Sequence, residues 1–419
     1  MTEQQNTPEL RFPEFKEEWT NKTLNDSIKI LKSGLSRQLS SIDIGLPVIR
    51  ANNIDNYKLK LDDTKYWYVE DPKGANTQNY VLSKNDILIN FINSESKMGT
   101  STLIKNDFNR DTIYTTNILR YVTKDNYHPY FHYIYTQTHN YKKWIKLITK
   151  PAVNQASFTT VDFKKIPYSI PTFNEQEKIG YFFSKLDRQI ELEEKKLELL
   201  EQQKKGYMQK IFSQELRFKD ENGNEYPEWT SVLIKDIFNN KGGTALEKDF
   251  ESDGEYKVIS IGSYSMNSTY NDQNLRINKN EKTEKYILSQ GDLAMVLNDK
   301  TKDGNIIGRT IFIDKDNHYI YNQRTERLIP LKENDSKFLW FFMNTDTVRN
   351  KIKSMMQGAT QVYINYSSIK NISLQIPSFA EQIKIRVFLE MLLNLITEQD
   401  NKVNLLKQRK KGLLQKMFV

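Results

Sequence analysis

One block of sequence occurs twice, and that duplication restricts the possible folds more than any other feature. Pro171-Thr-Phe-Asn-Glu-Gln-Glu-Lys-Ile179 returns as Pro377-Ser-Phe-Ala-Glu-Gln-Ile-Lys-Ile385, an offset of 377 − 171 = 206 residues. The same offset carries Lys204-Lys205-Gly206 onto Lys410-Lys411-Gly412, Gln209-Lys-Ile-Phe212 onto Gln415-Lys-Met-Phe418, and Leu10-Arg-Phe12 onto Leu216-Arg-Phe218. Tyr80-Val-Leu-Ser83 and Asp86 likewise return as Tyr286-Ile-Leu-Ser289 and Asp292. Between these anchors the register slips by four, so that Trp19 answers to Trp229 and Val48-Ile49 to Val258-Ile259. A period of this length means two copies of one folding unit rather than a solenoid of short repeats.

Each copy has two parts. Residues 10–172 and 216–378 are rich in Asn, Tyr, Ser and Lys, with short β-prone runs such as Asp86-Ile-Leu-Ile-Asn90 and Arg309-Thr-Ile-Phe-Ile313. Gly, Asn and Asp turns separate those runs, and apolar periodicity predicts helices over 129–146 and 336–356. The remainder of each copy reads as one long helix. Ile179, Phe183, Leu186, Ile190, Leu197, Leu200, Tyr207 and Ile211 fall on a 3–4 spacing interrupted at Glu193 and Lys204. Ile385, Leu389, Leu392, Ile396, Val403, Leu406, Leu413 and Met417 repeat it, with interruptions at Gln399 and Lys410. A seam held over several heptads predicts a coiled coil. Forty residues at 1.5 Å each make a rod of about 60 Å.

Connectivity predicts the direction of the rods. The first helix carries the chain from one head to the other, so a packed second helix must run back, antiparallel. Glu9-Leu-Arg-Phe12 and Phe418-Val419 look like the two halves of the corner Phe212-Ser-Gln-Glu-Leu-Arg-Phe218. The reading is therefore pseudo-circular with a pseudo-twofold axis: the last residues should lie beside the first head, as Phe212 lies beside the second.

Chemistry is harder to find. No cysteine is present, which removes disulfides, thiolate metal sites and thiol nucleophiles. There is no GxxxxGK[ST] loop, no GxGxxG after a strand, and no Asn/Asp-Pro-Pro-aromatic segment. His128 and His132 stand four apart without the Glu or third ligand of a metal helix, so a core-edge role is favoured. The longest apolar run, Phe338 to Met343, is too short for a bilayer, and Met1-Thr-Glu-Gln-Gln5, with neither a charged n-region nor an apolar stretch, does not read as a signal peptide. These features favour a soluble, cytoplasmic chain with no membrane partner and no enzyme activity of its own.

The formal charge of +8 permits a polyanionic partner without proving one. Residues 173–213 hold eight basic and eight acidic side chains, and 379–419 hold eight and four. The heads keep 61 − 16 = 45 basic against 53 − 12 = 41 acidic residues, so no single stripe stands out. Lys204-Lys205 and Lys410-Lys411 read as solvated helix ends in preference to phosphate contacts. In the predicted loops of the heads, however, side chains suited to base edges and phosphates cluster. Arg50, Asn52 and Asn53, then Asn93, Ser94 and Lys97, then Asn154, Gln155 and Ser157 are the candidates of the first copy. Ser260, Ser263 and Tyr264, then Asn298, Lys300 and Lys302, then Gln323 and Arg324 are those of the second. Asn and Gln can bond adenine bidentately, Arg and Lys guanine. The plainer reading of each cluster is a turn.

Two variable heads, each followed by a helix opening Pro-x-x-x-Glu-Gln and closing Lys-Lys-Gly-x-x-Gln-Lys-hydrophobic-Phe, resemble the specificity subunit of type I restriction–modification enzymes. Leu10-Arg-Phe…Trp19, Gly291-Asp292 at a strand start and Gly358-Ala-Thr-Gln361 before the second helix add to the likeness. The first copy departs from it with Ala152-Val-Asn-Gln155. The resemblance implies an α+β fold with two similar target-recognition domains, residues 1–172 and 214–378. These would be separated by an antiparallel two-helix coiled coil of spacer helices, 173–213 and 379–419. It adds Thr360 and Gln361 to the DNA-binding candidates. It implies that each head reads one half of a bipartite, asymmetric site in double-stranded DNA while the rods set the spacer. Two modification subunits would bring S-adenosylmethionine, and restriction subunits would bring ATP and Mg2+; this chain would hold no cofactor and no metal. Two other readings stand beside it. One is a coiled-coil scaffold or adhesin with protein- or glycan-binding heads, the other a single-chain nuclease or methyltransferase, which the missing motifs disfavour.

Overall fold

The computed structural model describes residues 6–419. Contacts divide the chain into two units, the first holding residues up to 195 together with 400–419, the second residues 196–399.

The first unit is organised by a four-stranded antiparallel sheet. Its strands are β1 (Ile28–Ser33), β2 (Ile87–Asn90), β4 (Ser101–Leu103) and β5 (Ile118–Thr123), in the order β1-β5-β2-β4; the two-residue β3 (Ile92–Asn93) follows β2. β2 is buried on both faces, which is why it reads as an unbroken apolar run instead of alternating. Ile87 and Ile89 face a core with Leu119, Tyr121, Phe131 and Phe163, while Leu88 faces a second core with Ile49, Ile54, Tyr114 and Ile118. A smaller sheet pairs Ile113–Tyr114 in parallel with Leu46–Ile49, and that strand with Lys65–Trp67. The later elements are helices α1 (Pro129–Tyr135) and α2 (His139–Ile148), the short β6 (Ala156–Ser157), and helix α3 (Phe173–Phe212).

The second unit repeats this plan. β7 (Phe238–Gly242), β8 (Leu293–Val296), β10 (Thr310–Phe312) and β11 (Thr325–Pro330) form the sheet β7-β11-β8-β10, with the short β9 (Asn298–Asp299) after β8. Leu293 and Met295 face one core, Ala294 and Val296 the other. Helices α4 (Ser336–Met343) and α5 (Asp346–Lys353), the short β12 (Val362–Tyr363) and helix α6 (Phe379–Lys416) complete it.

Neither 129–146 nor 336–356 is a single helix. Each is broken by a threonine whose hydroxyl caps a second helix: Thr138 accepts from the backbone N–H of Tyr141 at 3.2 Å and Thr345 from that of Val348 at 3.4 Å. The apolar spacing continues across both breaks, so periodicity alone does not reveal them.

The Pro-x-x-x-Glu-Gln opening ties each long helix to its head. Glu175 is fully buried and receives Arg11 through two bonds of 2.7 Å; buried Glu381 receives Arg217 through two bonds of 3.2 and 2.8 Å. Gln176 donates to the Pro171 carbonyl and accepts from His128 N–H, and Gln382 does the same with Pro377 and Asp335. The two long helices run antiparallel within each unit. In the first, Phe183 lies 6.2 Å from Phe418 and Asp187 pairs with Lys410 at 2.7 Å, while Glu194 reaches Lys407 at 2.9 Å. In the second, Tyr207 meets Phe388 edge-on at 5.1 Å and Ile211 is buried with Ile385 and Leu389.

Tyr207 packs across the seam, its ring against Phe388 of α6, while staying 39% exposed. One expectation for the helices needs correction. Lys204 and Lys410 are not solvated ends: Lys410 bonds Asp187 and Gln137, and Lys204 lies over the Phe341 ring.

Candidate nucleic-acid interface

In the first unit, four loops meet where the main sheet ends. β3 pairs antiparallel with β6, placing Asn93 opposite Ala156 and Ile92 opposite Ser157. The segment following Asn93 therefore lies beside the one preceding Ala156, which brings Asn93, Ser94 and Lys97 together with Asn154, Gln155 and Ser157. Phe91 and Ile92 both donate backbone N–H to the Asn117 carbonyl, adding a third loop. The Asn90 side chain donates to the Ala51 carbonyl at 3.3 Å, adding the loop of Arg50 to Asn53.

The second unit builds the same junction from different side chains. β9 pairs with β12, placing Asn298 opposite Tyr363 and Asp299 opposite Val362. Asn298, Lys300 and Lys302 thus lie beside Thr360 and Gln361. Leu297 N–H donates to the Arg324 carbonyl at 2.8 Å, the counterpart of Phe91 and Asn117. Asn322 N–H donates to Ile259, the counterpart of the bond from Thr115 to Ile49, and so draws in the loop of Ser260 to Tyr264. The 360s turn is held tight by Gly358, at φ +104°, where a Cβ would stand 2.1 Å from the Gln361 carbonyl oxygen. Only glycine fits there. The first unit has the exposed stretch 151–155 in its place.

Not every candidate side chain is available for a ligand. Asn53 is buried, accepting from Arg50 N–H and donating to the Lys60 carbonyl, both at 2.8 Å. Arg50 is held by the Asp63 carboxylate at 2.6 Å. Ser263 is buried and donates to the Val258 carbonyl, and Tyr264 donates to Thr325 Oγ1 at 3.2 Å. Gln323 donates to Glu247 at 2.6 Å, and Ser260 is half-buried at the start of its turn. Asn93 turns back to accept from Ser94 N–H, which leaves the Ser94 hydroxyl exposed beside Ser96. By contrast Asn52, Asn154, Gln155, Lys300, Lys302, Arg324, Thr360 and Gln361 are all exposed. Lys97, Ser157 and Asn298 are half-buried at the junctions.

The loop carrying Lys300 and Lys302 is internally rigid. Asp299 accepts from Thr301 N–H, Thr301 Oγ1 and Ile306 N–H at 2.9–3.0 Å. Burial alone would raise the Asp299 pKa, but these N–H donors outweigh it and hold the group below its ordinary value. Exposed cations and amides on a rigid, glycine-shaped platform can bond phosphates and base edges at fixed positions. Arg324 is further constrained, at φ +70°.

Sequence reading missed Asn90 and Asn117, which join the loops of the first unit. The signal for Asn117 was its place 207 residues before Arg324, visible only once the offset drift between copies is followed. The histidines have structural duties. His128 caps α1 by accepting from Phe131 N–H, and buried His132 bonds the Tyr168 hydroxyl at 3.1 Å.

Residues 16–202 and 226–407 each match the type I restriction modification DNA specificity domain. A chain of Methanocaldococcus jannaschii assigned as the MjaX specificity subunit of a type I restriction enzyme is 25% identical over 428 aligned positions, covering 98% of this chain and 95% of its own. The type I restriction enzyme MjaVIII specificity subunit of the same organism is 26% identical over 262 positions, 60% of this chain and 61% of that one. The fold is shared with the S subunit of a type I restriction–modification system from M. genitalium, at TM-score 0.61 and 15% identity over 99% of both chains. It is also shared with a chain of an assembled type I R-M system, at TM-score 0.54 and 12% identity, covering 96% of this chain and 97% of that one. With the specificity domain matched in both copies, this chain belongs to the type I restriction–modification DNA specificity family.

Proposed function

We propose that this chain reads DNA sequence for a type I restriction–modification complex and leaves the chemistry to other subunits. The observation that carries the reading is the repeated junction. Both units bring the same loops together through the same backbone bonds, yet present different side chains: Ser94, Lys97, Asn154 and Gln155 in one, Lys300, Lys302, Thr360 and Gln361 in the other. A shared scaffold with different exposed donors suits two readers of different half-sites. The exposed residues of both junctions are the proposed DNA contacts; Asn53, Ser263 and Tyr264 shape the turns.

In this reading residues 1–172 and 214–378 are the target-recognition domains, and the helices 173–213 and 379–419 set the spacer between half-sites. Adenine methylation inside a duplex requires the base to be flipped out. That step belongs to modification subunits carrying S-adenosylmethionine, with cleavage left to ATP- and Mg2+-dependent restriction subunits. Exposed apolar side chains on the long helices, Tyr181 and Leu192 on α3 and Val387, Met391 and Leu395 on α6, support docking of the modification subunits there. No helix among the described residues is long and apolar enough to cross a membrane, which agrees with action on DNA in the cytoplasm. The family match favours this reading over a scaffold or adhesin with protein- or glycan-binding heads.

The test is an exchange of heads. Residues 10–172 are replaced by the corresponding segment of another specificity subunit, and methylated adenines are sequenced in cells carrying the complete complex. One half of the methylated sequence should change while the other stays. A change in both halves would defeat the reading.

A further inference from the structure

The second unit holds two neighbouring arginines whose charge no carboxylate among the described residues offsets at close range. Arg349, on α5, is 8% exposed. Its Nη2 donates to the carbonyls of Asn305 at 2.7 Å and Ile307 at 3.3 Å, and its Nε is buried without a partner. Arg309, just before β10, donates from Nε to the same Asn305 carbonyl at 3.2 Å and from Nη1 to Ser268 Oγ at 3.0 Å. The Arg309 carbonyl accepts from Val296 N–H, two residues before Asn298, so the pair sits at the root of the loop bearing Lys300 and Lys302. Asp346 attracts both guanidinium groups only from a distance.

Buried cations are normally matched by anions. Here the acceptors are neutral carbonyls and one hydroxyl. Burial, followed by the neighbouring Arg309, pushes Arg349 down to about 10, and burial lowers Arg309 as well. Such a pair carries an electrostatic cost that an external anion would remove, and the planar guanidinium fork matches phosphate oxygens. The first unit lacks the arrangement. By position relative to Gly99 and Gly308, Arg309 is replaced by Thr100; by position relative to Thr138 and Thr345, Arg349 is replaced by Lys142, whose ammonium lies over the Tyr57 ring.

We propose that Arg309, backed by Arg349, binds a phosphodiester oxygen of duplex DNA at the second head. The proposal rests on the DNA-reading function above and adds a backbone clamp that the first head does not share. Half-buried and bonded to Ser268, Arg309 would hold the register of the duplex without reading a base.

The experiment uses the full chain and a mixed-sequence duplex of about 30 base pairs, with affinity measured across a series of salt concentrations. Arg309→Gln, which keeps a donor for Ser268, should flatten the slope of log affinity against log salt by about 0.9, the value of one lost phosphate contact. Arg309→Lys should keep the slope. A slope unchanged in Arg309→Gln but flattened in Lys300→Gln would overturn the arginine clamp while leaving DNA reading intact. An unaltered chain that fails to bind the duplex would overturn both. A second readout needs no variant: the duplex should protect Arg309 from phenylglyoxal in peptide mass spectra, and labelling unchanged by DNA would count against the clamp.

Discussion

The backbone N–H of Leu10 donates to the carbonyl of Lys416 at 2.8 Å, and Leu216 donates to Lys210 at 3.0 Å. Both members of the first pair stand 206 residues from those of the second, in opposite directions along the chain. A non-covalent junction in the first unit therefore reproduces the covalent corner 210–216 of the second. Joining Val419 directly to Pro8 leaves three residues between Phe418 and Leu10, as Ser213, Gln214 and Glu215 lie between Phe212 and Leu216. A chain permuted in this way, with new ends at Gln214 and Glu215, should fold with unchanged circular dichroism and a melting temperature within a few degrees of the original. Gln214 is half-buried between exposed Ser213 and Glu215 and already at φ +64°, so opening the chain there also relieves a strained residue.

The same closure makes the last residues part of the first unit's core. Phe418 lies 5.3 Å from Phe131, 6.1 Å from Trp19 and 6.2 Å from Phe183. Phe418→Ala should destabilise the first unit by about 3 kcal/mol, within the range for deleting a buried ring. Its counterpart Phe212, 5.4 Å from Phe342, should do the same to the second unit. Calorimetry that resolves two transitions should show each variant moving a different one.

Buried His132 should make the first unit acid-sensitive. Burial pushes its pKa down to about 4, because a charged imidazole among Tyr121, Phe131 and Tyr168 would lose its hydration. An unfolded histidine titrates near 6.5, so below that pH the unfolded chain takes up a proton that the folded unit refuses. Stability is present above 6.5 and is lost as pH falls towards 4, by about 2 kcal/mol between roughly pH 7 and pH 5. Denaturant melts of His132→Gln should show a smaller acid loss than those of the unaltered chain.

Duplication, the mixed α and β content and the long helices were legible because each depends on repetition or periodicity. The junctions of the heads were legible only in part. Asn93, Gln155 and Asn298 stood out in polar clusters and Gln361 through the family resemblance, but their convergence depends on two-residue strand pairs that leave no periodic trace. Asn53 and Ser263 looked like ligand groups and prove to be turn-builders, since the same side chains serve both purposes. The clamp arginines were invisible for another reason. Arg349 sits in a helix with ordinary charged neighbours, and only the packing of Ile352 against Gly308 brings it to the loop root.

If α3 and α6 set the spacer, lengthening both should move the half-sites apart without changing either. About four residues, one helical turn, inserted after Glu194 in α3 and before Asp400 in α6 would preserve the helical phase to within a fraction of a turn. Methylation sequencing should then report both original half-sites with a longer gap. An unchanged gap would remove the ruler role from the helices while leaving the heads as readers.

Arg324 offers the sharpest separation of recognition from stability. Its φ of +70° is a conformation that costs a non-glycine residue about 1 kcal/mol, and its side chain is exposed. Its backbone carbonyl supports Leu297 at the root of the recognition loop, and glycine would keep that bond at the same φ. Arg324→Gly should therefore leave stability within about 1 kcal/mol of the original, relief of strain being offset by the greater freedom of the unfolded chain. If Arg324 is a DNA contact that reads a guanine, as proposed, loss of its guanidinium should relax discrimination at one base of one half-site by about 1–3 kcal/mol. Methylation sequencing of the variant complex should show degeneracy at that single position. If discrimination is intact, Arg324 is strained for some purpose other than base reading; if both half-sites relax, the separation of the two heads as independent readers fails with it.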